Sequence, residues 1–380
     1  MKMKKLVIAI FVTMFVASCS KNDDKPQTVV SIYDKPLTQA KSQRLKFVLD
    51  SVCNAMQIKG VSASIYIPNK GLWEGSYGFS HANVPINSAM ALTIGSNTKT
   101  YIAALILKLQ ENGKLNLNDK VINYVPNAPF INNTTTIKQL LNHTTGFGDF
   151  SFNQDFIAAL FVNFNRVWQP VETYQYFEAP IGVQGSFSYS DQNYLIAGLV
   201  IEAATNKSVK DNMRELILNP AGLSKTVYYP FEQTNLTIPH SWTADFGTSF
   251  RDIDAEGYSR VAFCSADNAA GGMLSTAKEN AIFWDKLMNG KIINQTSLNL
   301  MKTFVPAPTN QSLYGLGLQK TVNAYNNRDI YAHNGYVPGS VNDNAYDAIS
   351  GICITVLTNQ DLIRDFTPIL SSLQKEALKN

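Results

Sequence analysis

The chain is poor in the residues on which metal sites and disulfide frameworks depend. Its 380 residues include only four histidines and four cysteines. The histidines show no His-Glu-x-x-His or other ligand spacing, and no two cysteines form a Cys-x-x-Cys pair. We therefore expect no metal site and no cofactor. Cys53, Cys264 and Cys353 could supply one disulfide in an exported protein, but their odd number favours buried free thiols.

Long hydrophobic runs are also scarce. The longest, residues 6–16, is broken only by Thr13 and is too short to span a bilayer permanently. Three lysines precede it and Val16-Ala17-Ser18-Cys19 ends it. This pattern is typical of a secretory signal, and its end resembles the lipobox of bacterial lipoproteins. The resemblance implies a signal peptide at residues 1–18 and a lipid anchor at Cys19, with a protein of the bacterial cell envelope that faces the periplasm or the outer surface.

No excess of positive charge remains once that signal is set aside. The formal net charge of +3 falls to zero without the three lysines of residues 1–5. A protein that binds nucleic acid needs a basic stripe, and none is present. We expect a small-molecule or peptide substrate, a membrane contact only through the anchor, and a monomer.

Hydrophobic periodicity divides the rest of the chain into a flexible tether at 19–37 and two structural units. A helix is predicted at 39–56, strands at 61–67 and 72–79, and further strands at 315–320, 330–335 and 352–358 before a closing helix at 361–378. Neither end has enough strands for a sheet of its own, so residues 38–110 and 275–380 should build one sheet together. Residues 111–274 read as a mostly helical domain, with the active site between the two units.

The most informative stretch is Ser96-Asn97-Thr98-Lys99, which opens a long apolar segment. Ser96 is a good N-cap residue, and the residues that follow favour a buried helix. Lys99 is one turn further on, so its amine should share a face with the Ser96 hydroxyl. A serine beside an amine at the start of a buried helix is one way to build an activated nucleophile.

Further motifs follow Ser96-x-x-Lys99 in a fixed order. They are Leu140-Leu141-Asn142-His143-Thr144-Thr145-Gly146, Tyr189-Ser190-Asp191, Ala270-Gly271-Gly272-Met273, Gly315-Leu316-Gly317 and His333-Asn334-Gly335-Tyr336-Val337-Pro338-Gly339. Their order resembles that of the penicillin-recognising serine hydrolases, which include class C β-lactamases, D-alanyl-D-alanine carboxypeptidases and related esterases. The resemblance implies an α/β (α+β) fold with an antiparallel sheet, flanking N- and C-terminal helices and a mostly helical inserted domain.

The resemblance also implies roles for individual residues. Ser96 would be acylated, Lys99 would take its proton as a neutral desolvated amine, and Tyr189 would relay the proton to the leaving group. His333 would act near the substrate carboxylate or Tyr189. The substrate and oxyanion side would comprise Asp191, Asn334, Gly335 and Tyr336, with the backbone N–H groups of Ser96 and Tyr336 as oxyanion donors. His143 is interpreted as a structural hydrogen-bonding residue.

One departure from the family pattern bears on this chemistry. Asp191 stands where the family usually has asparagine, and an ionised aspartate accepts hydrogen bonds but cannot donate them. It would also favour the charged form of Lys99, which moves the role of base towards Tyr189. Three activities therefore stay open: β-lactam hydrolysis, D-alanyl peptide cleavage and ester hydrolysis. A non-catalytic lipoprotein that binds cell-wall peptides is the alternative.

Overall fold

The computed structural model describes residues 31–245, 249–307, 312–322 and 327–379. The signal peptide predicted for 1–18, Cys19 and most of the tether lie outside the described residues. Residues 32–37, which the sequence assigned to the end of that tether, contact the fold: Tyr33 donates to the Asp285 carboxylate at 2.6 Å and Leu37 is buried. From Ile32 onwards, the described residues form one compact unit.

The regular elements are helices and mostly short strands, arranged in runs of one kind or the other. The helices are α1 Gln39–Ala55, α2 Thr98–Glu111, α3 Ile137–Leu141, α4 Gln154–Val162, α5 Asp191–Thr205, α6 Val209–Met213, α7 Asn219–Ala221, α8 Arg260–Asp267, α9 Ala277–Met288, α10 Gln295–Met301 and α11 Thr367–Leu378. The strands are β1 Gly60–Ile67, β2 Gly71–His81, β3 Val84–Pro85, β4 Leu92–Thr93, β5 Val227–Tyr228, β6 Trp242–Thr243, β7 Arg251–Asp252, β8 Met273–Ser275, β9 Val305–Pro306, β10 Leu313–Tyr314, β11 Gln319–Val322, β12 Asp329–Ala332, β13 Gly335–Val337, β14 Ser340–Asp347 and β15 Cys353–Thr358.

The main sheet joins both ends of the chain. Its strands follow the order β3-β2-β1-β15-β14-β12-β11-β10-β9, with β13 paired to β14, and the pairs are antiparallel. Ala63 of β1 lies between Gly75 of β2 and Val356 of β15. This sheet, with its flanking helices, confirms the predicted fold class.

Apolar layers cover both faces of the sheet. On one face, α1 and α11 pack on β1 and β15 around Leu45, Leu49 and Ile369. On the other face, α9 packs against β1 and β15, and α2, whose Tyr101 stacks on Phe283 of α9, extends the core into the helical part of the chain. Almost every side chain of α2 is buried, as its apolar sequence predicts. Among the described residues, no helix is long and apolar enough to cross a membrane.

Several sequence predictions fail at the C-terminal part of the sheet. The strand expected at 315–320 is wrong, because the chain turns between β10 and β11 and pairs only from Gln319 onwards. The last helix begins at Thr367 rather than at residue 361. Strand β14 was missed, since its sequence is polar. The buried free thiols predicted at Cys53, Cys264 and Cys353 are confirmed.

A second, three-stranded sheet fixes the entry to α2. Strand β8 pairs with β4 on one side and β5 on the other. The Ile94 N–H donates to the Met273 carbonyl at 3.0 Å, so the chain enters the Ser96 turn beside the Gly271-Gly272 segment. Gly272 in turn lies tightly against α8, because a Cβ there would lie 2.4 Å from the Cys264 carbonyl oxygen.

Candidate active site

Ser96 lies in a tight turn before α2 and does not cap the helix. Residues Gly95–Asn97 form a 3-10 turn, and α2 begins at Thr98. The predicted N-cap role of Ser96 is therefore wrong. The turn leaves its side chain partly exposed on the wall of a cavity of about 560 Å³, while its neighbours are buried. Such a position suits a nucleophile, since the hydroxyl is accessible and its backbone is held.

Lys99 lies at the bottom of this site and is fully buried. Its ammonium donates to Ser96 Oγ at 3.0 Å and to the Ala270 carbonyl at 2.8 Å, and it forms an ion pair with Asp191 Oδ1 at 2.6 Å. Burial alone would lower the pKa of Lys99, but Asp191 and Tyr189 outweigh it and hold the pKa above its ordinary value. The resting Lys99 is thus an ammonium and not the neutral amine predicted as base.

Tyr189 completes the group around the nucleophile. Its ring centroid lies 5.0 Å from Lys99 Nζ, and both Lys99 and Ser96 act to lower the pKa of its hydroxyl. Burial raises the pKa of Tyr189 to about 12, although the Lys99 ammonium opposes that rise. Because Lys99 is already protonated, Tyr189 could take the Ser96 proton only as a phenolate, a form that the Lys99 charge favours and burial disfavours.

His143 holds the ring of Tyr189 from behind. The two rings stack with centroids 4.2 Å apart, and the Ser190 N–H donates to His143 Nδ1 at 3.2 Å. Burial and the Lys99 charge keep the pKa of His143 well below its usual range, so the imidazole is neutral. These contacts agree with its interpretation as a hydrogen-bonding residue that supports the site.

His333 is placed differently from the prediction. It is fully buried, its Nδ1 donates to the Asn334 carbonyl at 2.7 Å, and its Nε2 accepts from the Tyr314 hydroxyl at 2.8 Å. Burial lowers the pKa of His333 to about 3, so it carries no charge towards a substrate. Tyr314 lies edge-on to Tyr189, which makes His333 a more distant support of the site and not part of the cavity wall.

The remaining predicted residues separate into two groups. Asn334 is exposed and is not part of the cavity wall. Gly335 and Tyr336 lie on β13 against the Ser96 turn: a Cβ on Gly335 would lie 2.1 Å from the Ile94 carbonyl oxygen, and one on Gly95 would lie 2.7 Å from the Tyr336 nitrogen. The Tyr336 backbone is therefore beside the nucleophile, as an oxyanion donor requires.

Four charged residues of the cavity wall were missed in the sequence. Asp149 follows the His143 motif, Asp245 follows β6, Asp267 precedes the Gly271-Gly272 turn, and Arg364 precedes α11. Asp149 and Asp267 flank recognised motifs, which was the available signal, whereas Asp245 does not. Arg364 had no such signal, because it reaches the cavity only through the packing of the C-terminal segment. Within the described ranges, no group of three or more His, Cys, Asp or Glu side chains is arranged to hold a metal ion.

Comparison with known proteins gives one family and one fold. A family model described as Beta-lactamase matches residues 49–373. The putative penicillin-binding protein PbpX of Bacillus subtilis (strain 168) is 25% identical over 83% of this chain and 75% of its own length. Protein flp of Staphylococcus aureus (strain COL) is 29% identical over 54% of this chain, but the match spans only 41% of that longer relative.

Solved structures show the same architecture at low sequence identity. D-amino acid amidase from Ochrobactrum anthropi SV3, complexed with D-phenylalanine, has a TM-score of 0.77 at 21% identity, covering 88% of this chain and 99% of the amidase. A penicillin binding protein from Bacillus halodurans has a TM-score of 0.73 at 20% identity, covering 86% of this chain and 99% of that protein. At such identities the similarity establishes the fold alone.

Proposed function

The chain belongs to the beta-lactamase family of serine hydrolases, and we propose that it hydrolyses an amide or ester carbonyl through an acyl-enzyme at Ser96. The observation that carries the proposal is the short contact, 3.0 Å, between the accessible Ser96 hydroxyl on the cavity wall and the buried Lys99 ammonium behind it. Burying the Lys99 ammonium there costs desolvation free energy. A purely structural role would not require a charged group at that point.

In the proposed acylation step, Ser96 Oγ bonds to the carbonyl carbon. Its proton passes to Tyr189 in the phenolate form, which the Lys99 ammonium favours although burial keeps the pKa of Tyr189 at about 12. Tyr189 then returns that proton to the leaving nitrogen or oxygen as its bond to the carbonyl carbon breaks. The Ser96 ester that remains is hydrolysed by water through the same proton path.

The developing oxyanion would lie between two backbone donors. One is the Ser96 N–H in the 3-10 turn, and the other is the Tyr336 N–H on β13, which the close approach at Gly95 keeps near it. Donors fixed in this way stabilise charge that appears only in the transition state. The neutral His333 takes no direct part in this scheme, and its contact with Tyr314 supports the aromatic groups behind Tyr189.

The substrate class within this reaction is a D-alanyl peptide, a β-lactam or an ester. The names of similar proteins, a D-amino acid amidase and penicillin-binding proteins, favour amide bonds. A carboxylesterase of the same fold would use the same acylation machinery. The three therefore differ in the fit of the cavity and in how fast the acyl-enzyme is hydrolysed.

A labelling and turnover experiment tests the proposal. The domain from residue 32 onwards is incubated with a fluorescent penicillin and separately with a p-nitrophenyl ester and a D-alanyl peptide. We expect covalent label or turnover with at least one probe, and a loss of about 10³-fold or more in Ser96→Ala. Ser372→Ala is the matched control, because it alters another Ser-x-x-Lys quartet on α11, away from the cavity.

The pattern of results separates the open activities. Stable label without turnover indicates a peptidase that reacts with penicillin, rapid ester hydrolysis without label indicates an esterase, and turnover of penicillin indicates a β-lactamase. If the native protein shows neither label nor turnover with any probe, the acyl-enzyme proposal is wrong and a peptide-binding lipoprotein takes its place.

A further inference from the structure

Three buried asparagines form a hydrogen-bonded chain beside the nucleophile. Asn97 belongs to the Ser96 turn, Asn280 lies on α9 and Asn344 lies on β14, and each is at most 1% exposed. Asn97 Nδ2 donates to Asn280 Oδ1 at 3.0 Å, and Asn280 Nδ2 donates to Asn344 Oδ1. Asn344 Nδ2 then donates to the His333 carbonyl at 2.8 Å. We call this series the asparagine chain.

The direction of the asparagine chain follows from the group at its end. A backbone carbonyl can only accept a hydrogen bond, so Asn344 must turn its amide nitrogen towards His333. Its oxygen then accepts from the Thr355 hydroxyl at 2.9 Å and from Asn280. The oxygen of Asn280 is left to accept from Asn97. Each amide therefore donates in the same direction, a role that neither an apolar side chain nor an ionised carboxylate can fill.

The stability of the core does not require these amides. A buried amide costs desolvation free energy that its hydrogen bonds only partly recover, and apolar side chains can fill such a space at little or no cost. Asn97 Oδ1 adds to that cost, because it has no hydrogen-bond partner among the described residues. The asparagine chain therefore calls for a reason other than stability.

The two ends of the asparagine chain lie on the segments that carry the proposed oxyanion donors. Asn97 directly follows Ser96, and His333 lies three residues before Tyr336 of β13. The Tyr336 backbone packs on the Ser96 turn at Gly95. Among the described residues, no backbone hydrogen bond joins that turn to β13. The asparagine chain thus supplies a hydrogen-bonded link that the backbone does not.

Helix α9 forms the rigid middle of this link. Thr276 caps the helix by accepting from the Glu279 N–H at 3.2 Å, and Asn280 lies in its first turn. Tyr101 of α2 stacks on Phe283 of α9 with ring centroids 3.4 Å apart, and its hydroxyl donates to Asn280 Oδ1 at 2.9 Å. The Asn280 side chain is therefore fixed from several sides, and it can hold its partners at a set distance.

We propose that Asn280 is a positioning residue that sets the spacing between the Ser96 turn and β13. It acts through Asn97 on one side and Asn344 on the other, and it is not part of the cavity wall. The spacing keeps the N–H groups of Ser96 and Tyr336 close enough to bind one oxyanion. This inference rests on the acyl-enzyme function proposed for Ser96 and adds a residue on which its rate depends.

The effect of the asparagine chain falls on the transition state. Two donors stabilise an oxyanion fully only while both reach the same oxygen, and a displacement of about 1 Å can cost about 10²-fold in rate. The substrate in its ground state depends less on these donors. Loss of the asparagine chain should therefore lower kcat and leave KM nearly unchanged.

Hydrogen exchange and kinetics together test the inference. Asn280→Ala removes the middle of the asparagine chain, and Asn97→Ala is a milder variant that removes only its first bond. Measured by mass spectrometry, exchange should become about tenfold or more faster in both residues 94–98 and residues 333–337, relative to the rest of the protein. With a substrate that the native protein turns over, kcat should fall about tenfold or more while KM changes by less than about twofold.

A matched control removes a buried amide elsewhere. Asn212 on α6 is buried, its Nδ2 donates to the Ser208 carbonyl at 3.0 Å, and it is not part of the cavity wall. Asn212→Ala should lower the free energy of unfolding, since buried donors are lost. Exchange in the two segments and kcat should stay at the native level.

The exchange measurement does not require activity, so the two proposals can fail separately. A native protein that shows neither label nor turnover overturns the acyl-enzyme, while exchange still tests the link between the two segments. Unchanged exchange, faster exchange in only one segment, or an equal change in Asn212→Ala overturns the inference. An unchanged kcat in an active protein also overturns it. If Asn280→Ala does not fold, Asn97→Ala gives the same measurements.

Discussion

At the scale of single residues, Asp191 decides the chemical state of the site. It replaces an amide with a carboxylate at the first residue of α5, where the helix N-terminus favours negative charge. Its ion pair keeps Lys99 protonated, although full burial would otherwise favour the neutral amine. The proton of Ser96 must then go to Tyr189, unless Lys99 first loses its own proton.

Replacing that carboxylate should shift the pH dependence of catalysis. In Asp191→Asn the contribution that raises the pKa of Lys99 is lost while burial, which lowers it, remains. The base form of Lys99 is then present at lower pH, so the acidic limb of kcat/KM should move down by about one unit or more. The pH profile of ester hydrolysis measures the shift.

A paired variant identifies the base in each protein. Tyr189→Phe should inactivate the native enzyme but leave part of the activity when combined with Asp191→Asn, because Lys99 then accepts the proton. An unchanged profile in Asp191→Asn would show that Asp191 does not control Lys99.

At the scale of elements, the active site depends on how closely β13 approaches the turn before α2. Gly95 has φ +45°, and a Cβ there would lie 2.7 Å from the Tyr336 nitrogen and 2.8 Å from its carbonyl oxygen. The close contact brings the two proposed oxyanion donors together. A glycine is required both for the positive φ and for the space.

Gly95→Ala should therefore impair catalysis by more than the strain of an alanine at positive φ would cause. We expect kcat to fall by about 10²-fold or more, because β13 must move away from Ser96. Unfolding should become easier by about 1–3 kcal/mol. Gly113→Ala is the matched control: Gly113 has φ +68° but no heavy atom within 4 Å of the added Cβ.

The two variants together distinguish two effects. One is the conformational cost of an alanine at positive φ, and the other is the loss of the close contact between β13 and the Ser96 turn. Gly113→Ala should show only a conformational cost of about 1–2 kcal/mol in urea unfolding, with kcat unchanged. If Gly95→Ala also retains full kcat, the Tyr336 backbone is not an oxyanion donor.

At the scale of the whole molecule, buried neutral histidines make the free energy of unfolding depend on pH. His333 is enclosed beside β12 and β13, and burial lowers its pKa to about 3, against 6.5 for an unfolded chain. Below pH 6.5 the unfolded state binds a proton that the folded state does not. His333 therefore leaves the free energy of unfolding undiminished above pH 6.5 and lowers it as the pH falls towards 3.

His333→Gln should remove this part of the acid dependence. The free energy of unfolding of the native protein should fall more steeply with decreasing pH, by about 1.4 kcal/mol per pH unit between pH 6 and 4. Urea unfolding of both proteins at several pH values measures the difference in slope. Parallel curves would mean that His333 takes up a proton in the folded state.

Much of the fold and the centre of the site could be predicted from local sequence. Helix α1 and strands β1, β2 and β15 have clear apolar patterns, and each was expected near its observed position. The Ser96-x-x-Lys99 pair was also expected from the sequence, because residues one helical turn apart share a face whatever surrounds them. Such features depend on neighbours in the chain.

Features that depend on distant partners could not be predicted in this way. Strand β14 is polar, yet it is buried because Asn344 accepts from the Thr355 hydroxyl and donates to the His333 carbonyl across the sheet. The lining of the cavity includes both Asp149 and Asp267, which are far apart in sequence. The charge of Lys99 likewise required Asp191 to be 2.6 Å away.

The sequence alone thus determined the family motifs, the main hydrophobic layers and the choice of Ser96 as the proposed nucleophile. Tertiary structure alone decided the ion pair of Lys99 with Asp191, the distant place of His333 and the set of carboxylates that line the cavity. The physical reason is that hydrophobic periodicity acts locally, whereas burial and Coulomb interaction depend on which residues meet in space.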